Sequence, residues 1–368
     1  MKKVIHIITG LGSGGAENML YKLVKYSNRS LYHHEVISLV SEGVMEKRIK
    51  AEGITVHSIN LSKKNLFRSL LKVREICKNF DIINTWLYHA DFFGFIVAKI
   101  LLSNKKLIWN IRHSNLDKHA NKSLTLKIMK MNSLLSRYVN CITFNSNEAL
   151  LNHVKVGYAE EKSLVIPNGF ELDKFKFNQE DRMKVRKGLS LHENDKVFIT
   201  VGRWHVQKDY HTLMKALHEL KLKKVEFKFL MVGTNLENSN KELVALITKY
   251  NLINDVFLLG RRNDIPALLS AADVYVSSSI GESFSNAIGE AMASELHCVV
   301  TDVGDSKMMI GETGKIVNPR DHFNMALELM YFINRPEIER NRDARERVIE
   351  RYEVQSVVNR LDGNFSKI

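Results

Sequence analysis

The stretch Ile280-Gly-Glu-Ser-Phe-Ser-Asn-Ala-Ile-Gly-Glu-Ala-Met-Ala293 decides how the chain is read. Ahead of it, Asp273-Val-Tyr-Val-Ser-Ser-Ser279 has the β-branched and aromatic content of a buried strand. Past Ser285 the residues turn to helix formers, with Ala287, Ile288, Ala291 and Met292 on one side. The order is strand, loop, helix. Ser283, Ser285 and Asn286 stand where an N-cap is wanted, and the free amides of a first turn make a place for a phosphate. Glu282 in the loop and Glu290 near the second turn would be repelled by that phosphate, so each needs another partner. A diol suits a carboxylate, which can accept hydrogen bonds from two adjacent hydroxyls. Phosphate donors flanked by two diol acceptors describe a nucleotide sugar. Without context, two glutamates at this spacing are equally a helix with two solvated side chains.

The context is the run Gly281 to Ala293 followed by Cys298-Val-Val-Thr-Asp-Val-Gly-Asp305. It resembles the donor-site signature of retaining glycosyltransferases of family 4, the group 1 glycosyl transferases. Two departures are visible. Ser283 stands where the family usually has Gly after the first Glu, and Glu295-Leu296-His297 replaces a Gly-x-Pro turn after the helix. Neither removes a carboxylate. The resemblance implies an α/β GT-B fold: two Rossmann-like doubly wound domains facing a cleft, with a C-terminal helix returning to the first domain. The expected divisions are 1–170 for the acceptor, 171–350 for the nucleotide-sugar donor, and 351–368 for the returning helix.

Taken in order, the chain alternates strands and helices as such a fold requires. Val4 to Ile8 reads as a buried strand, Gly10-Leu-Gly-Ser-Gly-Gly15 as a turn that lets backbone approach a ligand, and Ala16 to Tyr26 as a helix. The glycines also match a dinucleotide fingerprint, but Glu42, the acidic residue after the second strand, lies beyond the usual ~20 residues. Strands follow at Glu35–Val40, Ile54–Ile59, Asp81–Trp86, Leu107–Ile111 and Asn140–Asn145, with a helix at Leu66–Cys77. Ser146 is placed to cap the next helix. Pro167-Asn168-Gly169 is turn chemistry, and the family has the same tripeptide at its domain junction. Beyond it, strands are expected at Val197–Val201, Phe227–Val232 and Val256–Leu259, a helix at Thr212–Leu220, and mostly helix from Arg340 to Lys367.

Length and composition fit a globular chain of two domains: 368 residues, 45% hydrophobic and 26% charged. Cys77, Cys141 and Cys298 are far apart, show no metal spacing, and fit a reducing compartment. The apolar run after Met1-Lys2-Lys3 is too short for a signal peptide, and Phe92 to Leu102 is too short to span a bilayer. The net charge of +13 is one-sided. Residues 1–170 hold 25 Lys and Arg against 12 Asp and Glu, whereas 171–368 hold 29 of each. The first half is therefore expected to meet an anionic surface or substrate. Asn115 to Val139 reads as a long basic amphipathic helix. Leu124, Ile128, Met131 and Leu135 form its stripe, and Lys118, Lys122, Lys127, Lys130 and Arg137 lie away from it. Such a helix either covers a core or docks on an anionic membrane.

The resemblance also assigns residues. Gly202-Arg203 followed by Lys208 resembles the family's second donor signature, where the two cations hold the diphosphate. With no Asp-x-Asp pair to carry a metal, that duty falls on them. His113, after its strand, is expected near the transferred sugar, and His89 on the acceptor side. Gly14 and Gly15, Gly202, Arg261, Ser285, Asn286 and Glu290 complete the donor site, with Glu290 on the ribose and Glu282 positioning the sugar. The catalytic set is His113, Arg203, Lys208 and Glu282, with no metal and no cofactor. The nucleotide sugar, UDP-linked by resemblance, is a substrate. The implied role is transfer to a lipid-linked or free saccharide in bacterial surface-polysaccharide assembly, by a peripheral enzyme on the cytoplasmic face of the membrane. The rivals are a non-hydrolysing sugar-nucleotide epimerase, an inactive scaffold, and a basic nucleic-acid-binding protein. The last lacks a recognition helix or stacking aromatic motif.

Overall fold

The computed structural model describes all residues except 41–42, 63, 104, 115 and 117–121. Its contacts divide the chain into two units, Met1–Gly169 with Val354–Ile368, and Phe170–Glu353. Glu42 and Lys118 lie outside the described residues.

The first unit holds seven strands: β1 (Lys2–Ile8), β2 (Tyr32–Ser38), β3 (Thr55–Ser58), β4 (Ile82–Trp86), β5 (Lys106–Ile111), β6 (Cys141–Phe144) and β7 (Ser163–Val165). They lie in the order β3-β2-β1-β4-β5-β6-β7, all parallel. The second holds β8 (Val197–Val201), β9 (Lys228–Val232), β10 (Val256–Gly260), β11 (Val274–Ser277), β12 (His297–Thr301) and β13 (Lys315–Val317). These are also parallel, in the order β10-β9-β8-β11-β12-β13. Parallel strands need crossovers, whose helices cover the faces of a sheet, and the inner strands β4, β6 and β11 are buried at every position. In each sheet the order reverses once, between β1 and β4 and between β8 and β11. The chain parts on either side of such a switch, leaving a crevice at the carboxyl ends of the strands.

The last helix, Val354–Lys367, packs on the first unit, with Val354, Val357, Val358, Leu361 and Phe365 in one apolar cluster with Val4, Ile8 and Leu20. Beneath it runs a buried chain of hydrogen bonds. Thr143 Oγ1 donates to Asn110 Oδ1 (2.7 Å), Asn110 to Asn84 Oδ1, and Asn84 Nδ2 to His6 Nδ1 (3.0 Å). Trp86 Nε1, a donor only, also points at His6 Nδ1 at 3.4 Å. His6 Nδ1 is thus the acceptor, and Nε2 carries the proton. It donates to His34 Nδ1 (2.9 Å), His34 Nε2 donates to Ser27 Oγ (2.8 Å), and Ser27 donates to the Asp362 carboxylate (2.8 and 2.9 Å). One direction of donation therefore crosses β6, β5, β4, β1 and β2 and ends on the returning helix.

One element differs from the sequence expectation. The helix expected from Asn115 to Val139 spans Ser123–Leu135 and ends in a single 3₁₀ turn, Ser136–Tyr138. Leu116 and Lys122 are not helical. Its stripe also splits: Ile128 and Leu135 pack on the core, but Leu124 and Met131 are exposed, and the buried positions are Met129, Asn132 and Ser133. Asn132 is taken inward because its amide donates to Tyr88 O (2.9 Å). The stretch from Arg340, expected to be mostly helix, forms two helices, Arg342–Tyr352 and Val354–Lys367.

The buried chain makes stability depend on pH. Burial, and then His34, holds His6 well below the ordinary value; burial, then His33 and Arg29, takes His34 to about 4. Both are neutral in the folded chain at pH values where the unfolded chain binds protons, so their contribution is full above 6.5 and is lost as pH falls toward 4. For His34 alone the loss by pH 5 is about 2 kcal/mol. Asp362, raised by burial, acts in the opposite sense. Urea midpoints at pH 7 and 5 should therefore fall more for the wild type than for His34→Gln; equal falls would contradict the neutral relay.

Candidate active site

At the switch point of the second sheet, the loops after β8 and β11 leave side by side. Ile280 N donates to Gln207 O (2.8 Å), and Ser278 Oγ donates to Lys208 O (2.7 Å). The first loop runs Gly202-Arg203-Trp-His-Val-Gln-Lys208-Asp209. Asp209 ends it in the left-handed region, φ 44°, and caps the helix Tyr210–Leu222 through Thr212 N (3.3 Å) and Thr212 Oγ1 (2.6 Å). That cap fixes where Lys208 leaves the backbone. Its ammonium meets Glu282 Oε1 at 2.5 Å, and the same oxygen accepts from Ser279 Oγ at 2.8 Å. Lys208 and Glu282 are both half-buried, so the pair is partly shielded from solvent.

Small residues make the approach of these loops possible. Gly233, at φ 140° after β9, has no room for a side chain: a Cβ there would lie 1.5 Å from Gly202 O. Gly304, at φ 59° after β12, presses on the carbonyls of Glu282 and Ser283, where a Cβ would come within 2.7 and 2.6 Å. Thr301 Oγ1 donates to Ser279 O (2.6 Å). The β12 loop thus holds the Glu282 loop from behind.

The helix expected after Ser285 is Asn286–Ala293. Ser285 is its N-cap residue, buried at 4%, but its side chain does not bond the first turn. Of the caps expected from Ser283, Ser285 and Asn286, the one from Ser285 is therefore not formed. Asn286 and Glu290 are half-buried on this helix, whereas Arg203 and Arg261 are exposed. Ser279 and Tyr210 were given no role in the sequence, and the close approaches at Gly233 and Gly304 were not foreseen there. A glycine directly after a predicted strand, as at 233, was the available signal.

In the first unit, Gly14 is the N-cap residue of Gly15–Tyr26 and offers no side chain to cap it, while the Glu17 carboxylate folds back over the first turn onto its own backbone amide. Gly12 to Gly15 are exposed. His113 follows β5, and His89 stands in the first turn of the helix Tyr88–Phe95 that follows β4, both at the carboxyl edge and both half-buried. Burial, then Lys122, holds His89 below its ordinary value. Tyr88 connects the two neighbourhoods: its ring meets His113 edge-on at 6.3 Å, and its hydroxyl bonds His153 Nε2 at 2.7 Å. Leu87, just before, has φ 71°, a strained value for a large side chain, which turns the chain abruptly from strand to helix. Among the described residues, no group of three His, Cys, Asp or Glu could hold a metal ion.

Gly233→Ala tests the close approach. The new Cβ cannot coexist with Gly202 O, so a loss of more than about 3 kcal/mol is expected. A urea midpoint equal to wild type would refute it.

The chain is similar to known proteins over nearly its whole length. Residues 181–351 match the family described as glycosyl transferases group 1, and residues 13–174 match Glycosyltransferase Family 4. The UDP-Gal:alpha-D-GlcNAc-diphosphoundecaprenol alpha-1,3-galactosyltransferase of Escherichia coli is 28% identical over 259 residues, 68% of this chain and 66% of that one. The capsular polysaccharide biosynthesis glycosyltransferase CapH of Staphylococcus aureus is 23% identical over 295 residues, 79% of each. The crystal structure of Anabaena Alr3699/HepE in complex with UDP-glucose superposes with a TM-score of 0.85 over the whole of both chains, at 22% identity, which shows the GT-B fold. The two family matches together run from residue 13 to 351 with a gap of six, and the chain belongs to the group 1, family 4 glycosyltransferases.

Proposed function

We propose that this glycosyltransferase moves a sugar, with retention, from a UDP-sugar to a lipid-linked saccharide in the assembly of a surface polysaccharide. The observation that carries the donor half is the constellation of Lys208, Glu282 and Ser279 at a switch point, on the loop that leads into the helix Asn286–Ala293. Arg203 and Lys208 stabilise the charge that develops on the leaving diphosphate. Glu282 positions the sugar, Glu290 holds the ribose, and Gly202, Arg261, Ser285 and Asn286 line the nucleotide. Gly14 and Gly15 present backbone amides to the diphosphate, His113 stands by the transferred sugar, and His89 serves the acceptor. No protein nucleophile is required if the acceptor arrives on the face the diphosphate leaves. The E. coli relative's name specifies a UDP-galactose donor and a diphosphoundecaprenol acceptor, which supports both halves of the reading. Glu290→Ala should weaken UDP-sugar binding by roughly 1.5–3 kcal/mol, about ten- to a hundredfold, in titration calorimetry; unchanged affinity would remove Glu290 from the ribose.

The acceptor half rests on the surface of the first unit. Leu124, Lys127, Met131, Leu134 and Tyr138 recur at three- and four-residue steps, and all are exposed. Lys122, Lys130 and Arg137 stand beside them, also exposed. The helix Leu66–Cys77 packs on the same core cluster through Val73 and Cys77 and exposes Leu66, Phe67 and Leu71 among Lys64, Arg68 and Lys72. No helix among the described residues is long and apolar enough to cross a membrane. A peripheral attachment, apolar side chains in the interface and cations on anionic headgroups, suits both helices. In liposome sedimentation, binding should need anionic lipid, weaken with salt, and fall when Lys122, Lys127 and Lys130 become Glu. Wild-type protein left in the supernatant at low salt would overturn the membrane assignment.

A further inference from the structure

We propose that Tyr210 is a positioning residue of the donor site, its hydroxyl replacing the Lys208 ammonium on Glu282 when a bound diphosphate draws that ammonium away. The proposal rests on the donor-site reading above and adds a residue to it.

Tyr210 opens the helix Tyr210–Leu222 and is 3% exposed. Its hydroxyl is buried and, among the described residues, has no hydrogen-bond partner. The ring lies flat against Trp204, with centroids 5.5 Å apart and planes 4° apart, so it is held in place by packing. The hydroxyl lies 2.9 Å from where a Cβ on Gly202 would stand, and Lys208 Cε lies 3.4 Å from the same point. The phenol and the lysine stem therefore converge behind Gly202, and the ammonium continues from there to Glu282. Burial, and then the charge of Glu282, keeps the phenol protonated and able to donate.

A buried hydroxyl without a partner is costly, and phenylalanine would fill the same volume without that cost. Such a group calls for a second state in which it is used. The ion pair supplies one. Lys208 and Glu282 are bonded to each other, yet a diphosphate needs the ammonium and a sugar needs the carboxylate. Once Lys208 turns to phosphate, Glu282 Oε1 retains Ser279 Oγ and loses the ammonium. A half-buried carboxylate that gives up a charged donor is destabilised. Tyr210 can restore a bond without adding a charge, which leaves the whole lysine charge for the phosphate. Tyr210 touches no substrate in this scheme and acts through Glu282.

The test uses the full chain and Tyr210→Phe. UDP, GDP and ADP are titrated into the wild type, and the tightest is carried forward with its nucleoside as control. The variant should melt at or above the wild-type temperature, bind the diphosphate about tenfold more weakly, and bind the nucleoside within twofold of wild type. In a Glu282→Gln background, where no carboxylate needs a donor, Tyr210→Phe should change diphosphate affinity less than twofold. Wild-type affinity in Tyr210→Phe, or equal effects in both backgrounds, overturns the Tyr210 assignment and leaves the donor site standing. A wild-type chain that binds no nucleoside diphosphate overturns both.

Discussion

The parallel pairing of β11 with β8 is the constraint on which the active site depends. Val274 lies beside Phe198 and Tyr275 beside Ile199, although more than seventy residues separate them in sequence. The intervening chain goes to the other half of the sheet, to β9 and β10, before returning. Right-handed crossovers leave little choice about which ends then meet. The loop that carries Lys208 and the loop that carries Glu282 must emerge together at the carboxyl edge. Their side chains need only local help to touch: the Asp209 cap fixes one loop, and Gly304 with Thr301 backs the other.

The first unit has the same architecture but uses its interior differently. The buried polar side chains of the second sheet's strands, Thr200, Ser277 and Thr301, stand near strand ends, whereas the first sheet places His6, His34, Asn84, Asn110 and Thr143 in adjoining strands. Each of these would be destabilising alone. Linked head to tail they satisfy one another, and the polarity of the chain is set by Trp86, which can only donate. The product is specificity of docking. An apolar helix could sit on an apolar sheet in several rotations, whereas Asp362 must find Ser27 and the Asn28 amide at one place.

Much of this was legible in the sequence, for reasons that differ by element. Strand, Gly-rich turn and helix are local patterns, so β1 with its loop, β8 with its loop, and the Glu282 to Glu290 region could be read from a few adjacent residues. The fold class followed from their repetition. The helix of Ser123–Leu135 was harder, because an apolar residue at the right spacing can face solvent: Leu124 and Met131 do, and Asn132 is buried by a bond to a strand-end carbonyl forty-four residues away. The hydrogen-bond chain was invisible for the same reason. His6, His34 and Asp362 are close only because β1 and β2 pair and the last helix returns. The missing Ser285 cap shows the limit from the other side. A serine at the right position is a possible cap, and the loop's own geometry decides whether the hydroxyl reaches.

On the proposed reading, the Lys208–Glu282 pair also orders the events at the donor site. An isolated ammonium at the carboxyl edge would attract any anion, and an isolated carboxylate there would repel the diphosphate. Paired, the two present almost no net charge, and a neutral sugar gains little by separating them. A diphosphate carries several negative charges and can compete with Glu282 for the ammonium. On the donor-site reading, the carboxylate becomes available to sugar hydroxyls only after the phosphates have engaged the lysine. Sugar recognition is thereby made conditional on the nucleotide to which the sugar is attached. This matters for an enzyme whose first unit, with 27 Lys and Arg against 13 Asp and Glu, attracts anions in general, while the second, with 27 against 28, does not.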